Sequence, residues 1–276
     1  MSNLMAFLYK YLPVDRASFL SDGLLRFSQP SALNDPFEFF PALPNSVARE
    51  GIAHIRNELL SPPSHGADTS RDKRRKSDRD YLKRAKKKIQ ELPSASQFRQ
   101  TFLEQGQAKI DAKLGVLSLS RRWDSSLMWS HYTSSHTGFC VGFDRDHEFF
   151  QQAARRTEGT FICAPVQYSA IRPTIKFRPL FPSDAFSFFL TKSIDWRYEE
   201  EERAVALLAH ADKTIDASPF PVALFRVPNE TIAEITVGLR APAELIAKAA
   251  TLCVNLKVPL YRATISEAAY DFDLNP

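Results

Sequence analysis

The chain has 276 residues, 44% of them hydrophobic, with 36 Lys and Arg against 32 Asp and Glu and a formal net charge of +4. That apolar content supports a packed core, in one domain with an insertion or in two small domains. No apolar run approaches the roughly 20 residues that cross a bilayer. Three widely spaced cysteines, Cys140, Cys163 and Cys253, exclude a disulfide framework and a CxxC zinc site. Together with an N-terminus unlike a leader they lead us to expect a cytoplasmic protein without a membrane partner.

In chain order, residues 7–11 alternate and are rich in aromatics, so they predict a first strand. A short helix over residues 15–21 is expected to close at Gly23, and residues 24–27 to form a second strand. Residues 30–36 are a loop in which Asn34, Asp35 and Pro36 carry strong turn chemistry. Three helices follow. The first covers residues 47–60 and stops at Ser61, Pro62 and Pro63. The second covers residues 72–92. The third opens with a capping box of Ser94 and Gln97 and is expected to end at Gly115.

Beyond Gly115 the pattern becomes strand-like. Residues 116–121 place Leu117 and Leu119 on one face and Ser118 and Ser120 on the other. A short helix is predicted over residues 125–133, then a strand with Phe139, Val141 and Phe143 on its buried side. Helices are expected over residues 146–155, 184–193 and 242–255. Strands are expected over residues 161–168, 199–209, 222–227, 232–239 and, last, 259–265. Many strands with unevenly placed helices predict an α+β fold. Its core is a mixed or mainly antiparallel sheet built from residues 1–44 and 116–276, with a helical insertion over residues 45–115.

The basic character is local. Residues 71–88 hold 11 Lys and Arg against 3 Asp, so the remainder of the chain is net acidic. Such a run is either a solvated helix face or a contact for nucleic acid or another polyanion. No aromatic interrupts residues 71–79, which argues against base stacking there.

Trp129, Ser130, His131 and Tyr132, with His136 close behind, crowd polar aromatic chemistry into eight residues and suggest a small-molecule pocket. The same stretch carries a resemblance. Tyr9, Lys10 and Tyr11, then Asn34, Asp35, Pro36, Phe37 and Glu38, then Met128 to Tyr132, then Lys192, Trp196, Tyr198, Glu199, Glu201 and Arg203 resemble, in this order, the bacterial family called domain of unknown function 2971 (DUF2971). One departure is Glu202, where that family often has an aromatic. The resemblance implies no chemistry, so function rests on the residues.

Walker, GxGxxG and GxSxG motifs are all missing, which excludes the usual phosphate cradles and the nucleophile elbow. His131 and His136 are five apart, the wrong spacing for two metal ligands on one helix face, and no metal is expected. Glu199, Glu201 and Arg203 would project together from one strand face, with Glu200 and Glu202 pointing the other way. They form either an edge-strand ion pair or a functional carboxylate cluster. Lys10 faces solvent or an anionic ligand. Trp129 is core packing or a stacking platform. Asn34 and Asp35 hold a turn or contact a ligand.

Two functions of different class follow. The first is an enzyme that transfers or hydrolyses ADP-ribose from NAD, with NAD as substrate. Its catalytic candidates are Glu199, Glu201 and His131. Its substrate-binding candidates are Tyr9, Lys10, Tyr11, Arg26, Asn34, Asp35, Ser120, Trp129, Tyr132, His136 and Arg203. A carboxylate would stabilise an oxocarbenium-like ribose, rings would hold nicotinamide, and cations the pyrophosphate. Tyr198, Glu199, Glu200 and Glu201 are also similar to the late Glu-x-Glu element of the ADP-ribosyltransferase superfamily. The alternative is a non-enzymatic module that binds a ligand, or nucleic acid through residues 71–88, in phage defence or stress response. A nuclease built on His131, His136 and Asp35 would need those groups to converge. The oligomeric state is not legible.

Overall fold

The computed structural model describes residues 7–65, 70–151, 161–176, 188–269 and 272–276. The chain divides into two compact units. One comprises Met1–Phe39, Ile110–Ile171 and Phe189–Pro276, and the other Phe40–Lys109 with Arg172–Phe188.

The first unit is built on strands. These are β1 (Phe7–Leu12), β2 (Leu24–Phe27), β3 (Leu114–Ser120), β4 (Phe139–Asp144), β5 (Phe161–Pro165), β6 (Gln167–Ser169) and β7 (Thr191–Ser193), followed by β8 (Glu201–Leu207), β9 (Lys213–Ile215), β10 (Val222–Arg226), β11 (Ile232–Val237), β12 (Leu260–Ile265) and β13 (Phe272–Asn275). Eight of them form one sheet in the order β13-β12-β11-β4-β1-β3-β8-β5. Every neighbouring pair is antiparallel except β11 with β12. The fold is therefore α+β with a mainly antiparallel sheet. A three-stranded sheet, β2-β10-β9, and the parallel pair β6-β7 accompany it.

The centre of the large sheet is buried on both faces. Leu8 and Leu12 of β1, Leu117 and Leu119 of β3, and Phe139, Val141 and Phe143 of β4 belong to the main core. A helix over Ala243–Leu256 adds Leu245, Ala249 and Cys253, spaced by four so that they share one helix face. On the opposite face Tyr9, Tyr11 and Cys140 pack with Trp129. Alternation thus separates the main core, of aliphatic and Phe side chains, from a smaller cluster built on Tyr9, Tyr11 and Trp129, as the sequence pattern of β3 and β4 predicts.

Several elements depart from expectation. The first short helix is two pieces, a 3-10 turn at Val14–Arg16 and a helical turn at Phe19–Asp22. Gly23 closes the latter at φ 63°, as expected. Gly115 does not end a helix; it lies inside β3, where an added Cβ would come within 2.8 Å of Phe27 Cβ and 2.7 Å of Leu208. The expected strand over residues 161–168 breaks at Val166 into β5 and β6. Of the helix expected over residues 146–155, Asp146 and His147 form a turn and a bend, Glu148–Gln151 is helical, and residues 152–155 lie outside the described residues. Residues 184–187 are likewise outside, and 191–193 are strand β7, not helix. β9 and β13 were not anticipated.

The second unit is helical: Asn45–Leu60, Arg71–Gln90 and Ala95–Asp111, the last ending just beyond the unit. Ala48, Gly51 and Ala85 are the buried residues of the first two, small enough for close packing. Leu43, Ala48 and Leu103 form its core. The capping box is formed as predicted. Ser94 N–H donates to Gln97 Oε1 at 3.0 Å, and Gln97 N–H donates to Ser94 Oγ at 3.3 Å.

Candidate functional site

A cavity of about 220 Å³ opens in the first unit where five segments meet. β1 supplies Tyr9, Lys10 and Tyr11, the loop after β2 supplies Asn34, Asp35 and Glu38, and β3 supplies Ser118 and Ser120. Tyr132 comes from a helix at Ser126–Tyr132, capped by the Ser125 hydroxyl. Lys192, Trp196, Glu199 and Glu201 complete the wall.

Glu199 does not lie on the strand with Glu201. It ends a 3-10 turn at Ile194–Glu199, and Glu200 takes a left-handed φ of 43° before β8 begins. The shared strand face expected for Glu199, Glu201 and Arg203 therefore holds only for the latter two. Glu199 is turned inward instead and is 3% exposed. Its Oε1 accepts the Tyr132 hydroxyl at 2.5 Å, its Oε2 accepts Lys192 Nζ at 2.5 Å, and its carbonyl accepts Ser120 Oγ at 2.7 Å.

Lys192 is the hub. Besides Glu199 it contacts Glu201 at 3.1 Å and Glu38 at 3.0 Å, with the Trp196 ring 4.9 Å away. Behind it Arg203, fully buried, grips Glu201 with Nε and Nη2, both at 2.9 Å. The same Nη2 reaches Glu38 at 2.5 Å, and Nη1 donates to the Phe189 carbonyl at 2.8 Å. A buried charge persists only when paired and hydrogen-bonded, and each oxygen of these three glutamates has a donor. Burial works against the charged form of Glu201, yet Arg203 and Lys192 outweigh it and hold the carboxyl down at about 2. Burial also opposes the Lys192 charge, but Glu201, Glu38 and Glu199 hold it above the usual lysine range. Glu38 moves the other way: burial raises it more than Arg203 and Lys192 lower it.

Lys10 is expected on the face opposite its tyrosine neighbours, but it lines the same cavity and donates to the Ser118 carbonyl at 2.9 Å. Burial pulls its ammonium down to about 8, against the pull of Glu201 and Glu199. Burial, then Glu199, raises Tyr132, which keeps it a proton donor to that carboxylate.

Of the sequence candidates, Tyr9, Lys10, Tyr11, Asn34, Asp35, Ser120, Tyr132, Glu199 and Glu201 line the cavity, with Arg203 one layer behind. Trp129 is fully buried beneath it, edge-on to Tyr11 at 5.3 Å, with its indole N–H donating to the Trp123 carbonyl. It is core and not a cavity wall. His131 is exposed, its Nδ1 3.2 Å from the Tyr198 hydroxyl. His136 sits in a left-handed turn with its ring on Phe272 at 5.5 Å. Arg26 lies on β2 opposite Leu224. None of His131, His136 and Arg26 lines the cavity, so the histidine pair and Asp35 do not gather as a nuclease centre would require. Among the described residues no group of three or more His, Cys, Asp or Glu is arranged to hold a metal ion.

The candidates omitted Glu38, Lys192 and Trp196, although each stands in a block that carries the family resemblance. Glu202, where that family often has an aromatic, faces away from the cavity. It accepts from Arg121 at 2.8 Å and from Arg145 at 3.0 Å. Among the described residues no helix is long and apolar enough to cross a membrane.

Fold and site together define an α+β protein with a buried carboxylate–ammonium network under a small aromatic cavity. A family model described as protein of unknown function (DUF2971) matches residues 128–204, which include Tyr132, Lys192, Glu199, Glu201 and Arg203. No curated protein and no solved structure matches the chain.

Proposed function

We propose that the protein is an enzyme that breaks the nicotinamide–ribose bond of NAD and passes the ADP-ribosyl group to water or another acceptor. The observation that carries this reading is convergence: rings, cations and carboxylates from five segments line one cavity. At about 220 Å³ it is smaller than the roughly 300–1,000 Å³ typical of drug-sized ligands. It fits the nicotinamide–ribose end, with the remainder of the dinucleotide outside.

Glu199 is the carboxylate assigned to the reaction. As the C–N bond breaks, its electron pair leaves with nicotinamide and the ribose becomes oxocarbenium-like. A fixed carboxylate stabilises that cation more than the ground state. The acceptor oxygen then bonds to the ribose carbon and loses its proton to Glu199. Tyr132 and Lys192 fix the Glu199 oxygens, while Glu201, locked by Arg203, supports Lys192. Calorimetry with NAD on wild type and Glu199→Gln tests the binding step. No heat from either protein at millimolar NAD ends this reading.

One observation favours the second reading, a nucleic-acid contact. On the helix Arg71–Gln90, Arg71, Arg75, Arg79, Lys83 and Lys87 recur every fourth residue, and all five are exposed. Like charges at that spacing destabilise a helix by about 0.2–0.5 kcal/mol per pair, a cost that a polyanion along the ridge would reverse. Binding should weaken steeply with salt. Equal affinity after replacing Arg79, Lys83 and Lys87 by Gln rules the ridge out.

A further inference from the structure

Asp35 lines the cavity and is only 4% exposed, yet its two carboxylate oxygens are unequal. Oδ1 accepts the Phe37 N–H at 2.9 Å in a local turn. Oδ2 is buried and has no hydrogen-bond partner. The next residue, Pro36, has no N–H to offer. Buried polar atoms are normally paired, and an orphan calls for a reason.

Its surroundings narrow that reason. Every oxygen of Glu38, Glu199 and Glu201 already receives a donor from Lys192, Arg203 or Tyr132. Asp35 Oδ2 is thus the open acceptor among these four carboxylates. Formal charge points the same way. Four carboxylates face three cations, Lys10, Lys192 and Arg203, which leaves the site one charge negative. Tyr9, Tyr11, Tyr132 and Trp196 add ring faces or edges. Such a site suits a flat head group that is positively charged and carries N–H donors.

We propose that Asp35 is the specificity-determining residue for that head group. Its Oδ2 accepts the carboxamide N–H of nicotinamide, and the cavity prefers the oxidised pyridinium ring to the neutral reduced ring. This inference rests on the NAD reading above and names which end of the molecule enters, which atom holds it and which redox form is chosen.

Titration calorimetry with NAD+ and NADH on the intact protein tests it, with wild type and Asp35→Asn side by side. Wild type should bind NAD+ at least about fivefold more tightly than NADH, the size of one charge pair at 4 Å in bulk water. Asp35→Asn retains an oxygen for Phe37 N–H but sets an amide donor where Oδ2 stood. Its affinity for NAD+ should fall about tenfold or more, as for a lost hydrogen bond to a charged group. The ligand-free melting temperature should be unchanged or higher, because a neutral amide is easier to bury than an unpaired carboxylate. Equal binding of both redox forms by wild type, or undiminished NAD+ binding by Asp35→Asn, overturns the assignment and leaves the NAD reading standing. Binding of neither form by wild type removes both. The wild-type comparison needs no variant to fold.

Discussion

Tyr132 and Glu199 are 67 residues apart in the chain, and the tyrosine hydroxyl donates to the carboxylate at 2.5 Å. The bond joins the helix after β3 to the turn before β8 and aims Glu199 at the cavity. A hydrogen bond to a charged group contributes about 1.5–3 kcal/mol. Tyr132→Phe should therefore fold, melt at a lower temperature and turn over NAD about tenfold more slowly. A variant with wild-type turnover would remove Tyr132 from the machinery.

Lys192 separates three carboxylates that are almost wholly buried. Removing one partner of a buried ion pair costs about 3–5 kcal/mol, and here three partners lose their shared cation. Lys192→Met should lower the urea midpoint steeply at pH 7. Without the lysine the glutamates hold protons more tightly when folded, so the deficit should shrink as pH falls from 7 toward 5. A deficit that is constant over this range contradicts the hub role.

Acid should loosen the wild-type network with a defined sign. The folded-state value for Glu201, about 2, lies below its ordinary 4.5. Its contribution is therefore complete above pH 4.5 and is lost as pH falls from 4.5 toward 2. Glu38, raised by burial, has the opposite sign and offsets part of this. Chemical denaturation across that interval should show falling stability, with a flatter slope in Glu201→Gln. Equal slopes would mean that Arg203 and Lys192 do not hold Glu201 as described.

Local chemistry was legible in the chain and long-range geometry was not. The Ser94–Gln97 capping box and the alternation of Leu117, Ser118, Leu119 and Ser120 act within a few residues, and both are realised. The run Glu199 to Glu202 contains no Gly or Pro to mark a turn, so it reads as continuous strand. The turn at Glu200 carries Glu199 to Tyr132 and Lys192, partners 67 and 7 residues away that no local pattern marks. Glu38 reaches Arg203 from 165 residues away, a pairing that no local pattern encodes. β9 is three residues long and exposed throughout, and β13 alternates Phe272, Asp273, Leu274 and Asn275 over only four residues, too short a run to stand out from a loop.

Two glycines should respond differently to a methyl group. A Cβ on Gly138 would lie 2.1 Å from the Leu12 carbonyl oxygen and 2.9 Å from Pro13 Cα, both backbone atoms. On Gly142 the nearest atoms are Glu234 Cγ at 2.7 Å and Tyr9 Cε1 at 3.1 Å, both in side chains and not backbone. Overpacking costs about 1–3 kcal/mol. Gly138→Ala should reach or exceed the top of that range and Gly142→Ala should stay near the bottom. Thermal midpoints that rank the two in reverse would contradict the strand packing described for β1 and β4.

The assignment of Glu199 is read from nicotinamide released from NAD+, measured by chromatography for wild type and Glu199→Gln. Wild type should release it steadily, and the variant at least about 100-fold more slowly while NAD+ still binds. No nicotinamide from wild type at millimolar NAD+, or equal release by both proteins, would contradict that assignment.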